Sequence, residues 1–198
     1  MREISRRAIV VGLAAFLLGA GILRGQTPST GASTRKDGLE AFAGIAGVLR
    51  NPRCLNCHTT SNFPRQGDDR HPHTDLVRRG TSDRGAAGLP CSTCHQTENN
   101  PVSGIPGKPN WHIAPLSMGW EGLSDADLCR AFKDPKRNGG RDLAALTEHM
   151  GQDPLVAYGW DPGALRRPIP IPRAELVRLM ETWIRAGAPC PAARTGSR

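Results

Sequence analysis

The 198-residue, 21.3 kDa chain has room for one domain or two small ones, yet only 38% of it is hydrophobic, its aromatic residues are 4 Phe, 4 Trp and 1 Tyr, and Gly (23) with Pro (17) make up about a fifth of it. A single long apolar stretch excludes a polytopic membrane protein, and the formal charge of +8 is diffuse and lacks aromatic interleaving, which argues against nucleic acid as a partner. With so few large side chains, the composition predicts either loose structure or a non-protein group at the centre.

The N-terminus carries Arg2, Arg6 and Arg7, then an uncharged apolar run from Ala8 to Leu23 closed by Arg24. A basic head before a short apolar run is the form of an export signal, here over 1–25 with cleavage after Gly25. The alternative is an uncleaved membrane anchor, but a helix over that run spans only ~24 Å against a hydrocarbon core of ~30 Å. Ser5-Arg6-Arg7 also has the look of a twin-arginine signal. Either way the body of the protein lies outside the cytosol, in the periplasm, where cysteines are oxidised.

Residues 26–36 are rich in Ser, Thr and Gly and read as a flexible leader. Leu39, Phe42, Ile45, Ala46 and Leu49 recur at helical spacing, which predicts a helix over 37–49 stopped by Asn51-Pro52. From Arg53 to Pro115 periodicity is lost, and loops with short helical turns are expected. Ser124 with Asp127 marks the start of a second helix ending at Lys133. A third is expected over 142–150 with Gly151 as its stop, and the fourth over 173–186, with Leu176, Met180 and Trp183 on one face. No alternating pattern long enough for a substantial strand is present.

The chemistry lies in two motifs, Cys54-Leu55-Asn56-Cys57-His58 and Cys91-Ser92-Thr93-Cys94-His95. Cys-x-x-Cys-His is the attachment signature of c-type haem. Two vinyl groups on the macrocycle each take one sulfur, and the adjoining His supplies an axial nitrogen to the iron. Two alternatives compete. Four cysteines could form a structural zinc site, but 33 residues separate the pairs, more than the ~15–20 usual in a ribbon, and neither His is then explained. Disulfides would leave His58 and His95 equally unexplained.

Each iron needs a sixth ligand or an open position. The candidates are His71, His73, His112, His149 and Met118; Met180 reads as core. His71 and His73 flank Pro72, and alternate residues of an extended segment point opposite ways, so only one of the two can reach a given iron. His112 sits in a Pro-rich loop suited to approaching a haem face, and His149 late in a helix. The remaining Cys129 and Cys190 lie beside helices, and an oxidising compartment favours a disulfide between them.

The expected fold is therefore mainly α: short helices and long Gly/Pro-rich loops packed around two covalently bound haems, one domain over 37–191, with a disordered tail over 192–198. The two motifs resemble those of di-haem c-type cytochromes. Trp111-His112-Ile113-Ala114-Pro115 with Met118-Gly119-Trp120, Leu128-Cys129, Lys133-Asp134-Pro135 with Asn138-Gly139-Gly140, and Trp183 with Ala186-Gly187-Ala188-Pro189-Cys190-Pro191 carry a narrower likeness. Over about 42–191 the chain is similar to bacterial exported proteins labelled isoquinoline 1-oxidoreductase subunits. That resemblance implies a periplasmic cytochrome subunit that accepts single electrons from a redox partner, a molybdenum hydroxylase acting on N-heterocycles or aldehydes. The chain carries none of the hydroxylase's own iron–sulfur or molybdopterin signatures, so the resemblance gives it no catalytic residues. Two other functions remain open on sequence: a peroxidase-like di-haem enzyme with one open iron, and a zinc-stapled binding module.

Overall fold

The computed structural model describes residues 33–193. The segment read as an export signal, most of the expected leader and most of the expected tail lie outside them. Among the described residues no helix is long and apolar enough to cross a membrane.

Helix α1, Arg35–Leu49, starts two residues before the apolar spacing predicts. The reason is a capping box: Thr34 Oγ1 accepts from the Asp37 amide and the Asp37 carboxylate accepts from the Thr34 amide. Asn51-Pro52 does more than stop α1. Asn51 caps a one-turn helix α2, Pro52–Leu55, with Pro at its first position, where the missing N–H costs nothing. Helix α3, Asp125–Lys133, is capped by Ser124, and α4, Leu143–Gln152, by Asp142. Helix α4 runs through Gly151 instead of ending there. A Cβ at Gly151 would lie 3.0 Å from Val177 Cγ2, so the glycine serves close approach to the last helix. That helix, α5, spans Arg173–Arg185, and Gly187 follows it with φ +83°.

α5 is the hub. It packs along α1 and against α4, while α3 leans on α1. Phe42, Leu49, Leu176, Met180 and Trp183 are fully buried, each worth ~1.5–3 kcal/mol of transfer free energy. Phe132 joins them, its ring centre 6.2 Å from that of Trp183. A disulfide joins Cys129 to Cys190 and ties the end of the chain to α3.

The composition points to loose structure or a non-protein group at the centre. The helices close an apolar core of their own, and none of its residues lies between Leu55 and Trp120. Few aromatics suffice because they are concentrated in one place.

The stretch missing from that core is the predicted loop region. It holds two small antiparallel ladders, β1 (Arg65–Gln66) with β2 (His71–Pro72) and β3 (Gly85–Ala86) with β4 (Leu89–Pro90). Polar anchors hold it in place of apolar burial. The Arg79 guanidinium, 5% exposed, donates to the carbonyls of Ala114 and Ser61, to Thr59 Oγ1, and to Asp83 at 3.0 Å. The Arg53 side chain is wholly buried and reaches Asp68 at 2.6 Å, the Gly67 carbonyl and Tyr158 Oη. Buried guanidinium groups need such partners, and here the partners belong to segments far apart in sequence.

Candidate functional site

The two Cys-x-x-Cys-His motifs fold alike. In each, the His amide donates to the carbonyl of the first Cys, four residues back: His58 to Cys54 at 3.0 Å and His95 to Cys91 at 2.9 Å. The amides of Cys57 and Cys94 also donate to those carbonyls, at 3.1 and 3.2 Å. One helical turn thus brings both sulfurs and the imidazole to one side of the backbone. Asn51 and Pro52 set this turn in the first motif, and β4 feeds it in the second.

The surroundings repeat as well. His58 Nδ1 donates to the Met118 carbonyl at 2.9 Å, and His95 Nδ1 to the Pro106 carbonyl at 2.7 Å. A carbonyl only accepts, so Nδ1 carries the proton in both rings and Nε2 keeps its lone pair. Each imidazole lies flat on a tryptophan: His58 on Trp120 at 3.4 Å between ring centres, His95 on Trp111 at 4.1 Å. In each case a glycine follows the accepting carbonyl. A Cβ at Gly119 would sit 3.0 Å from the Thr59 carbonyl oxygen, and one at Gly107 2.6 Å from that of Gln96. These carbonyls belong to the residue just after each motif histidine.

Burial shapes the electrostatics. It holds the His58 pKa down to about 4, outweighing the bond to Met118, and lowers that of His95 also. Both imidazoles are therefore neutral near pH 7, the form that ligates metals. Cys54 and Cys57 are half-buried by area because a cavity opens beside them. The protein behind each sulfur still pushes the Cys54 thiol up to about 12 and that of Cys57 up to about 11. All four motif cysteines are free thiols, although only two residues separate the members of each pair.

Two cavities open at these turns. The first, of about 390 Å³, is walled by Cys54, Cys57 and His58, with His112, Met118 and His149 around it. The second, about 80 Å³, is walled by Cys91, Cys94 and His95, with His73 across it. Cys57 and Trp111 line both. Of the ligand candidates, only His71 reaches neither cavity: its ring is bound to Asp69 at 2.6 Å and to Gln66 at 3.0 Å. His112 is held through Nδ1 by the Asn110 carbonyl, and His149 lies 3.3 Å from Asp153. Met180 is buried in the helical core.

These residues fit haem c better than zinc. Among the described residues no three His, Cys, Asp or Glu side chains gather closely enough to hold a metal ion by themselves. A zinc staple needs four such donors. A porphyrin brings four nitrogens of its own and asks the chain for sulfurs at its edge and axial ligands at the iron. Trp120 lines the first cavity, and its Nε1 is buried with no hydrogen-bond partner.

Sequence reading missed the partners of the motifs: Met118 and Pro106 as carbonyl acceptors, Gly119 and Gly107, the two stacking tryptophans, and Arg53 with Tyr158. The one signal available was a glycine followed shortly by a tryptophan, at Gly107 to Trp111 and at Gly119-Trp120. No family model, curated protein or solved structure matches this chain.

Proposed function

We propose that this protein is a periplasmic di-haem c-type cytochrome that carries single electrons, the electron-accepting subunit or partner of an oxidoreductase. The observation that carries the reading is the duplicated histidine environment. Two imidazoles 37 positions apart in sequence are each neutral, each tied at Nδ1 to a carbonyl, each flat on a tryptophan, and each one residue from a free cysteine. Metal-ligating histidines have this support, because the hydrogen bond fixes the tautomer and raises ligand basicity.

Haem, when attached, supplies a one-electron iron couple. The chain's part is positional. Cys54, Cys57, Cys91 and Cys94 offer the sulfurs, and His58 and His95 present Nε2. Trp120 and Trp111 keep the imidazoles from rotating, and the cavity walls limit water. The shared wall of Cys57 and Trp111 keeps the two sites adjacent, as a relay inside one chain needs. Ser92, Thr93 and Cys94 are exposed, so the second motif is the one a redox partner can approach. The resemblance to isoquinoline 1-oxidoreductase subunits makes a molybdenum hydroxylase the class of partner to try first.

The test is to mature the chain in an export-competent host that attaches haem. Mass spectrometry should show two haems per chain, and a denaturing gel should stain for haem. C54A/C57A and C91A/C94A should each lose one of the two. A mature chain with no added mass would end the reading.

A further inference from the structure

The second cavity places two histidines close together, their rings steeply inclined. The ring centres of His73 and His95 lie 6.1 Å apart, with their planes at 71°. His73 Nδ1 donates to the Thr74 carbonyl at 2.8 Å, as His95 Nδ1 does to that of Pro106 at 2.7 Å. In both rings the Nδ1 hydrogen bond leaves Nε2 as the nitrogen available to ligate a metal. Two imidazoles on opposite sides of one metal, each bound through Nε2 at ~2 Å, have ring centres about 6 Å apart, since the centre of the ring lies about 1 Å beyond its nitrogen. The observed centre-to-centre spacing of 6.1 Å has the length such a pair requires.

The backbone around His73 is held by a local network. The β1–β2 ladder pairs Gln66 with His71, the His73 amide donates to the Pro64 carbonyl at 3.4 Å, and the Thr74 amide donates to Gln66 Oε1 at 3.3 Å. Asp75 and Leu76 then both take left-handed φ values, +61° and +49°, which side chains other than glycine adopt at a cost. Strain of this kind persists where the surroundings over-determine it, and it gathers at functional sites. Here it turns the chain away directly after His73. The ladder also separates the two candidates of the His71-Pro72-His73 segment, sending His71 outward to Asp69 and Gln66.

Resting on the di-haem reading, we infer that His73 is the sixth ligand of the iron at the second motif, so that this centre is bis-histidine, with His95 and His73 trans to each other. The imidazoles stand close to perpendicular. Perpendicular axial rings leave two iron d-orbitals nearly equal in energy, which gives a strongly anisotropic low-spin resonance and a low reduction potential relative to Met ligation.

The experiment uses the full chain with haem attached, and the C54A/C57A variant, which keeps the second site alone. Haem content is measured first. If the wild type carries no haem, the di-haem reading fails and the ligand assignment falls with it, a different result from any below. With haem present, C54A/C57A should give one strongly anisotropic low-spin signal. Adding H73A should abolish it in favour of a high-spin signal at unchanged haem content, and added imidazole should restore the low-spin form. H73M should keep the iron low-spin and introduce a sulfur-to-iron charge-transfer band in the near infrared. H71A should change nothing. Haem-loaded H73A that stays low-spin as the wild type does, or loss of the signal in H71A instead, overturns the assignment. Should H73A fail to accumulate, H73M decides: no charge-transfer band with an unaltered wild-type signal overturns it equally.

Discussion

The Nδ1–H of His58 donates to the Met118 carbonyl, 60 residues further along the chain, at 2.9 Å. The Trp120 amide returns a bond to the His58 carbonyl at 3.0 Å, so the segment 118–120 grips the histidine from two sides. At the second motif the grip is more local, across the 11 residues from His95 to Pro106, with Gly107 donating its amide to Asn99 Oδ1. Both grips depend on a glycine passing close to the backbone that follows the histidine.

Gly107 is the tighter of the two glycines, and its replacement should separate the sites. In G107A the new methyl would meet the carbonyl oxygens of Gln96 and Glu98, backbone atoms that cannot step aside. The overpacking should cost ~1–3 kcal/mol and pull the Pro106 carbonyl off His95. Haem per chain, measured by pyridine haemochrome, should fall from two towards one, with the loss confined to the second motif by peptide mapping.

The haem-free chain should show a fixed order of thiol reactivity. Thiolate is the reacting form. With its pKa pushed up to about 12 against an ordinary value of 9.0, Cys54 has about a thousandfold less thiolate at pH 8. Cys57, pushed up to about 11, follows the same logic. Burial raises the Cys91 thiol also, whereas Cys94 is exposed. Brief alkylation of folded apo-protein should label Cys94 first, and in denaturant all four should react alike.

Stability should decline on the acid side through Asp68. Burial alone would raise its pKa, but the hydrogen bonds from Arg167 and the charges of Arg53 and Arg167 outweigh this and hold it below the usual 3.8. A carboxylate with a depressed pKa in the fold stabilises above its unfolded value, and that contribution is lost as pH falls through the folded one. Unfolding followed from pH 6 down to pH 2 should lose stability below about pH 4, with a smaller loss in D68A. At neutral pH, D68A leaves the Arg53 guanidinium buried with less compensation. It should cost about 3 kcal/mol, the low end for a broken buried pair, because the Asp68 side chain is 27% exposed.

The bond between Cys129 and Cys190 closes a 61-residue separation. Loop entropy for that length gives about 4 kcal/mol. C129A/C190A should lower the denaturant midpoint accordingly without changing the low-spin haem spectrum, since both residues lie in the helical half and neither lines a cavity.

The four long helices were legible because their evidence is local: apolar residues at 3–4 spacing, with Ser124 as a recognisable cap on one of them, whereas the Thr34 cap of α1 lay in a stretch read as leader. Gly151 misled because a glycine that stops a helix and one that admits a neighbouring helix look identical in sequence. The Cys-x-x-Cys-His turns were legible for the same local reason. Their supports were not. The acceptor for His58 is 60 residues away and that for His95 is 11, so no fixed spacing marks them. Alternation predicted that His71 and His73 would face opposite ways, but which of them turns inward depends on the register of a two-residue ladder that the sequence does not advertise.

The core without a residue from the 64 positions between Leu55 and Trp120 has one more effect. The helical half has an apolar core of its own, and the loops are joined to it through polar anchors such as Arg53 with Asp68. On the di-haem reading proposed above, the loops would stay open to attachment while the helical frame is already formed. Maturation then resembles fitting a lid to a finished box: hydrogen exchange in apo-protein should be slow in α1 and α5 and fast from Ser61 to Ser117, and loading should slow the second set alone.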